Sequence, residues 1–146
     1  MIFGKKFFVL VSAIVVLIAI FLFKFVQPAH SQVILSGKTF SVEVADTPMA
    51  QRNGLSGRDR LEDNQGMLFV FHKPDKYGFW MKDMKFPIDI LWIDQNLKIV
   101  SIEKSLSPDT YPKIFYPSLP VMYTLEISAN QSDKIGAKIG DKIKLN

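Results

Sequence analysis

The feature that most constrains this chain is an uncharged, almost wholly apolar run at residues 7–23, preceded by Lys5 and Lys6 and closed by Lys24. A helix of this length spans roughly 26 Å, close to the hydrocarbon thickness of a bilayer. Every face of that helix would be apolar, which is typical of a membrane segment and not of an amphipathic core helix. The sequence therefore predicts a membrane anchor or signal segment at 1–26, followed by a globular part.

The lysines before the run predict a cytoplasmic N-terminus and a domain outside the cytoplasm. The run is longer than the apolar region of most signal peptides, which favours an uncleaved, single-pass anchor in the cell membrane. Ala29 and Ser31 are small residues placed as a cleavage site requires, so a secreted or periplasmic product cut near Ser31 stays open.

The charge of the globular part argues against nucleic acid as a partner. The chain has 18 Lys and Arg and 14 Asp and Glu, but three of the bases (Lys5, Lys6 and Lys24) precede Val33 and no acid does. The remainder is nearly neutral and shows no basic stripe of the kind that binds phosphates. The chain has no cysteine, which excludes disulfides, thiolate metal sites and a cysteine nucleophile.

Short apolar and alternating runs predict a fold of class α+β, mainly β. We expect a compact rolled sheet or barrel of about seven short strands with two short helices, preceded by the N-terminal transmembrane or signal helix. Residues 27–37 contain Pro, Ser and Gly and are interpreted as a linker, and 38–146 as one domain, which we expect to be monomeric. Asp46-Thr47-Pro48 predicts a helix start and Gly54 its end.

Four residues are candidates for ligand binding: Arg58, Trp80, Lys82 and Asp89. On a predicted strand at 79–82, Trp80 and Lys82 would share one face, which joins an aromatic surface to a cation. Asp89 lies in a strand that is apolar on both faces. A buried carboxylate needs a partner, so we expect it to pair with Lys82 or Arg58, either as a structural ion pair or as part of a ligand site.

Signals for catalysis, metals and cofactors are weak. His72 follows a predicted strand, and Ser56 lacks the strand-turn-helix setting of a nucleophile elbow. Carboxylate pairs such as Asp89 with Asp83 or Glu103 would suit acid–base hydrolysis. A soft Cu(I) site of methionines with His72 is a further alternative, although methionine in strands is usually core filling. The sequence predicts no cofactor and no metal site.

Several motifs occur in order along the domain. They are Ala45-Asp46-Thr47, Arg52-Asn53-Gly54-Leu55 with Arg58 and Leu61, Gly66-Met67-Leu68-Phe69-Val70-Phe71, Phe79-Trp80-Met81-Lys82, Pro87-Ile88-Asp89-Ile90 with Ile93-Asp94, Leu125-Glu126 and Ile139-Gly140-Asp141. In this order they resemble the "domain of unknown function 192" family over residues 39–145. The resemblance implies a small exported or anchored protein with a compact β-rich fold. It implies no activity.

Three functions remain compatible with the sequence. The first is a non-catalytic binding module for a small anionic or glycan-like ligand or an envelope protein, using an aromatic surface beside Arg58, Lys82 and Asp89. The second is a hydrolase that works through paired carboxylates, and the third is a structural protein of the envelope whose aromatic residues are core.

Overall fold

The computed structural model describes residues 30–146, so the predicted membrane or signal segment at 1–26 lies outside the described residues. Within residues 30–146, no helix is long and apolar enough to cross a membrane. The described part is mainly β, a half-barrel sheet of seven strands with two short helices, which confirms the predicted class and element count.

The bounds of the elements are β1 (His30–Leu35), β2 (Lys38–Ala45), α1 (Pro48–Asn53), β3 (Gln65–Asp75), β4 (Ile88–Ile93), β5 (Ile99–Leu106), β6 (Val121–Ser128), α2 (Gln131–Lys134) and β7 (Lys144–Leu145). The strand order across the sheet is β5-β4-β6-β3-β2-β1-β7. β2 and β3 are parallel, and the other neighbouring pairs are antiparallel. The crossover between the two parallel strands contains α1.

The linker predicted at 27–37 is wrong from His30 onward, because residues 30–35 form β1 and pair with β2. Val33 and Leu35 alternate with polar or half-exposed neighbours and are completely buried. Ser36 and Gly37 both have positive φ, which suits the tight two-residue turn of a hairpin. The Ser-Gly pair therefore marks a turn between two strands and not a tether.

Side chains alternate between two apolar cores, one on each face of the sheet. On β4, Leu91 and Ile93 join the first core, and Ile90 and Trp92 join the second. The C-terminal segment curls the sheet around the first core, since Lys142 bridges to Lys98 beside β5 while Lys144 and Leu145 pair with β1. The second core is covered instead by α1 and the irregular segments on that side of the sheet.

The strand predicted at 79–82 is also wrong. Phe79 forms one isolated bridge with Phe115, through two backbone hydrogen bonds of 2.9 and 2.8 Å, and the pairing goes no further. Phe115 lies in the segment 107–120 between β5 and β6, which has four prolines, and proline has no N–H to continue a ladder. The segment 76–87 therefore packs as an irregular cover over the second core.

Candidate functional site

An open cavity of about 250 Å³ lies between α1 and the second face of the sheet. We call it the α1 cavity. Its lining comes from four parts of the chain: the end of α1 and the loop after it, the middle of β3, the segment 77–84, and β6. The lining residues are Gln51, Arg52, Asn53, Gly54, Leu55, Ser56, Phe69, Phe71, Tyr77, Gly78, Phe79, Trp80, Met84 and Glu126.

Local sequence chemistry places α1 at the mouth of the cavity. The Thr47 side chain accepts a hydrogen bond from the Ala50 N–H at 3.2 Å and caps the helix, as the sequence predicted. Gln51 fixes the helix to the sheet by donating to the Val70 carbonyl at 2.8 Å. Gly54 ends α1 with a φ of 49°, and an added Cβ there would lie 3.4 Å from the Phe69 ring. This sharp turn presents Arg52 to the cavity.

Aromatic rings form the opposite wall. Phe71 and Tyr77 are stacked with centroids 3.6 Å apart, and Phe79 meets Phe69 edge-on at 4.8 Å. The buried Trp92 donates from Nε1 to the Tyr77 carbonyl at 3.2 Å, which holds this wall against the sheet. Trp80 stands at the rim, 49% exposed, so it is not a core residue. The wall therefore offers a fixed aromatic surface beside α1.

Among residues 30–146, Glu126 is the one acidic residue that lines the cavity. It lies on β6 between Met67 of β3 and Ile90 of β4, and it is only 5% exposed. Among residues 30–146, its Oε2 is one of three buried side-chain polar atoms without a hydrogen-bond partner. Burial raises the pKa of Glu126 to about 8, although the positive charge of Arg58 opposes the shift. At neutral pH the carboxyl group is therefore mostly protonated.

Arg58, the cation whose charge opposes the pKa shift of Glu126, already forms an ion pair with Glu43. Arg58 Nη1 and Nη2 donate hydrogen bonds to the two Glu43 oxygens, and the Nη2 bond measures 2.7 Å. In this bidentate ion pair the Arg58 and Glu43 side chains are 34% and 24% exposed. The hydrogen bond to Glu43 raises the pKa of Arg58 further above its usual value. Arg58 is thus largely neutralised by Glu43 and does not compensate a charge on Glu126 in full.

Comparison with known proteins places the domain. The family model DUF192, described as an uncharacterised ACR, matches residues 31–145. The chain belongs to this family. No curated protein matches the chain.

Two solved structures share the DUF192 domain's fold. A protein from Sinorhizobium meliloti 1021, provisionally named a transcription regulator, is 31% identical and superposes with a TM-score of 0.76 over 82% of this chain and 96% of its own. A protein of unknown function from Novosphingobium aromaticivorans DSM 12444 is 30% identical, with a TM-score of 0.73 over 80% of this chain and 84% of its own. These relatives agree with the fold and add no activity.

The structure of the DUF192 domain separates the four residues predicted to form one site. Trp80 lines the α1 cavity. Arg58 is outside the lining. Its positive charge opposes the rise in the pKa of Glu126, but its guanidinium group binds Glu43. Lys82 is exposed and outside the lining, and only its carbonyl approaches, accepting a hydrogen bond from Ser56 Oγ at 2.8 Å.

The ion pair predicted for Asp89 is wrong. Asp89 is completely buried on the first face of the sheet, and its oxygens accept hydrogen bonds from the N–H groups of Ser105, Asn130 and Ser132 at 2.8, 3.1 and 2.8 Å. The Ser132 hydroxyl donates a fourth bond at 2.7 Å. The backbone N–H groups at the start of α2 donate hydrogen bonds to this carboxylate, and these bonds stabilise its buried charge without a cation. Its burial also removes it from acid–base work with Asp83 or Glu103 on an accessible substrate.

Glu126 and Arg52 were not predicted as site residues. One usable signal was the alternation on β6, which puts Glu126 and Thr124 on the same face as the buried Trp92 and Phe69 of neighbouring strands. Within residues 30–146, no group of three or more His, Asp or Glu side chains is arranged to hold a metal ion.

Proposed function

We propose that this DUF192 domain is a non-catalytic binding module for a small, ring-bearing anion, such as an aromatic carboxylate or a uronate sugar, held in the α1 cavity. The observation that carries the proposal is the pairing of an aromatic wall with the buried carboxyl group of Glu126 at one side and Arg52 at the mouth. This keeps the ligand class that the sequence suggested and moves it to a different set of residues.

The size of the cavity limits the ligand to about one ring. Sites for drug-sized molecules are roughly 300–1,000 Å³. A cavity of about 250 Å³ lies just below that range. A monosaccharide or a benzene ring with one polar substituent fits such a space, and an oligosaccharide chain does not.

The charges of the lining favour an anion. In the part of the lining that the structure describes, Arg52 and Glu126 are the two residues with side chains of the acidic or basic type. Glu126 is mostly neutral there, since burial raises its pKa to about 8. Arg52 is exposed at the end of α1 and stays charged, so it supplies the net positive charge that a carboxylate would meet.

The aromatic wall favours a flat or ring-shaped body. Trp80 at the rim meets Tyr111 edge-on with centroids 6.1 Å apart, which steadies the indole while leaving it half-exposed. Stacking on such a ring suits aromatic and sugar rings alike. The amide group of Asn53 lines the same space and provides a polar contact for a ligand's edge.

Binding is better supported than nucleophilic catalysis. Ser56 is the one hydroxyl-bearing aliphatic residue of the described lining, and its Oγ donates to the Lys82 carbonyl at 2.8 Å. No histidine lines the cavity among residues 30–146, so Ser56 has no imidazole to activate it.

The test is a titration with benzoate and galacturonate. The full-length chain, kept in a mild non-ionic detergent because of its apolar run, is followed by backbone amide shifts in NMR spectra. We expect shifts to concentrate at the lining, and Arg52→Ala to weaken binding about tenfold through loss of a charge-assisted hydrogen bond. Trp80→Ala should weaken it by a similar factor through loss of stacking.

Two exposed residues outside the lining provide matched controls, Arg60→Ala for the arginine and Met49→Ala for an apolar side chain. Both should leave binding unchanged. The proposal is overturned if neither carboxylate shifts the lining amides, or if Arg60→Ala weakens binding as much as Arg52→Ala does.

A further inference from the structure

Glu126 has an oxygen that the protein leaves without a partner. Its strand β6 lies between β3 and β4, so the backbone of Glu126 is fixed by pairing on both sides. The residue is 5% exposed, lines the α1 cavity, and Oε2 has no hydrogen-bond partner among the described residues. A buried polar group without a partner is disfavoured unless a ligand or water meets it, so this oxygen marks a contact point.

Within residues 30–146, the surrounding groups do not satisfy Glu126 Oε2. Met67 and Ile90, its neighbours in register on β3 and β4, are apolar and buried. Arg58 uses two nitrogens to bind Glu43. Gly66, next to Met67 on β3, is in register with Ile127 and brings no side chain to Glu126.

We propose that Glu126 is the specificity-determining residue of the α1 cavity, and that its carboxyl group, as a protonated acid, donates a hydrogen bond to an acceptor oxygen of a bound carboxylate. The inference rests on the proposed function, since it assigns the contact that selects the ligand in that same cavity. A carboxylic acid facing a carboxylate shares one proton between them in a short, charge-assisted hydrogen bond. Two ionised carboxylates at that distance would repel each other.

The selection follows from what the group offers. A protonated Glu126 donates, so it favours ligands with acceptor oxygens and gives no counter-charge to an ammonium group. Ionised Glu126 would reverse this preference, because it would accept only and would bring a negative charge into the cavity. The ligand class is therefore a carboxylate or a similar oxyanion, and binding depends on the proton that Glu126 holds.

Of the charged and titratable groups described around the cavity, we expect Glu126 to be the one whose protonation changes between about pH 6.5 and 9.5. Arg58, in the α1–β3 connection, acts on Glu126 by its charge and is bound to Glu43 of β2. Arg52 and Tyr77 line the same cavity as Glu126. Both arginines stay charged throughout that range. Burial raises the pKa of Tyr77 above its usual value of 10.0, and burial raises that of Glu126 to about 8.

The test is the pH dependence of benzoate binding to the full-length protein, read from the amide shifts of the lining. If only the protonated form binds, the dissociation constant should rise about 30-fold between about pH 6.5 and 9.5, for a group with a pKa of about 8. Glu126→Gln keeps a donor and cannot ionise, so its affinity for benzoate should be the same at both pH values within about twofold. Glu62→Gln, an exposed control, should keep the wild-type pH dependence.

The outcomes separate the inference from the proposed function. Benzoate that binds equally well at both pH values in the wild-type protein overturns the role of Glu126 and leaves the binding module intact. A pH-dependent loss that persists in Glu126→Gln also overturns it. If neither benzoate nor galacturonate binds at any pH, both the proposed function and the role of Glu126 are overturned. The wild-type profile decides the question by itself if the glutamine variant folds poorly.

Discussion

Two buried carboxylates, Asp89 on β4 and Glu126 on β6, lie on adjacent strands and point to opposite faces of one sheet. Asp89 is 0% exposed and accepts four hydrogen bonds, whereas Glu126 is 5% exposed and keeps an oxygen without a partner. Burial alone therefore does not mark a functional acid. The supply of protein donors separates the structural carboxylate from the one that is available to a ligand.

The structural role of Asp89 follows from what it joins. Ser105 and Asn130, two of its donors, both have positive φ, at 49° and 65°. Non-glycine residues adopt this region at a cost, and the carboxylate holds both of them through their N–H groups. Asp89 thereby fixes the end of β5 and the turn from β6 into α2. No such network of donors surrounds Glu126 in the described residues.

The largest expected effect comes from removing the satisfied carboxylate. Asp89→Ala leaves three N–H groups and one hydroxyl without their acceptor, and we expect the free energy of unfolding to fall by about 3–4 kcal/mol. Urea denaturation followed by circular dichroism measures this. Asp59→Ala, at an exposed ion pair with Lys85, should leave the midpoint unchanged. A loss below about 1 kcal/mol for Asp89→Ala would contradict its structural role.

A smaller effect is expected from the proton on Glu126. Its folded pKa of about 8 lies above the ordinary 4.5, so between these values the folded protein holds a proton that the unfolded chain releases. This contribution to stability is fully present below about pH 4.5 and is lost as pH rises through about 8. Between about pH 5.5 and 7.5 the free energy of unfolding should fall by about 2–3 kcal/mol.

Glu126→Gln isolates this contribution, because the amide does not titrate. The difference in unfolding free energy between wild type and variant should change with pH by the same amount. Parallel stability curves for the two proteins over that range would mean that Glu126 has an ordinary pKa and that the two carboxylates do not differ as described.

Much of the fold could be predicted from local patterns. The Thr47 cap and the Gly54 stop predicted the bounds of α1. The errors were at 30–35, within the predicted linker, and at 79–82. At 30–35 the Ser36-Gly37 turn lets the segment pair with β2 as a hairpin. At 79–82 the outcome depended on a distant, proline-rich loop, which pairs at Phe115 only.

The site was harder to predict, because its chemistry depends on tertiary covering. A glutamate in an alternating strand such as β6 is usually on a solvated face, and only the packing of α1 and residues 77–84 over the sheet buries Glu126. Asp89 was correctly predicted to be buried, but its backbone donors come from residues 16 to 43 positions away, which no local pattern reveals. The membrane segment at 7–23 stays a prediction from its sequence.

The most direct measurement of the central claim is a pH titration of the Glu126 side-chain carboxyl carbon by ¹³C NMR, assigned by comparison with Glu126→Gln. We expect a midpoint near the pKa of about 8 that burial gives this group. Arg58→Met, which removes the opposing positive charge, should move the midpoint higher still. A wild-type midpoint near the ordinary 4.5 would show an ionised Glu126 at neutral pH and would contradict the proposed contrast between the two carboxylates.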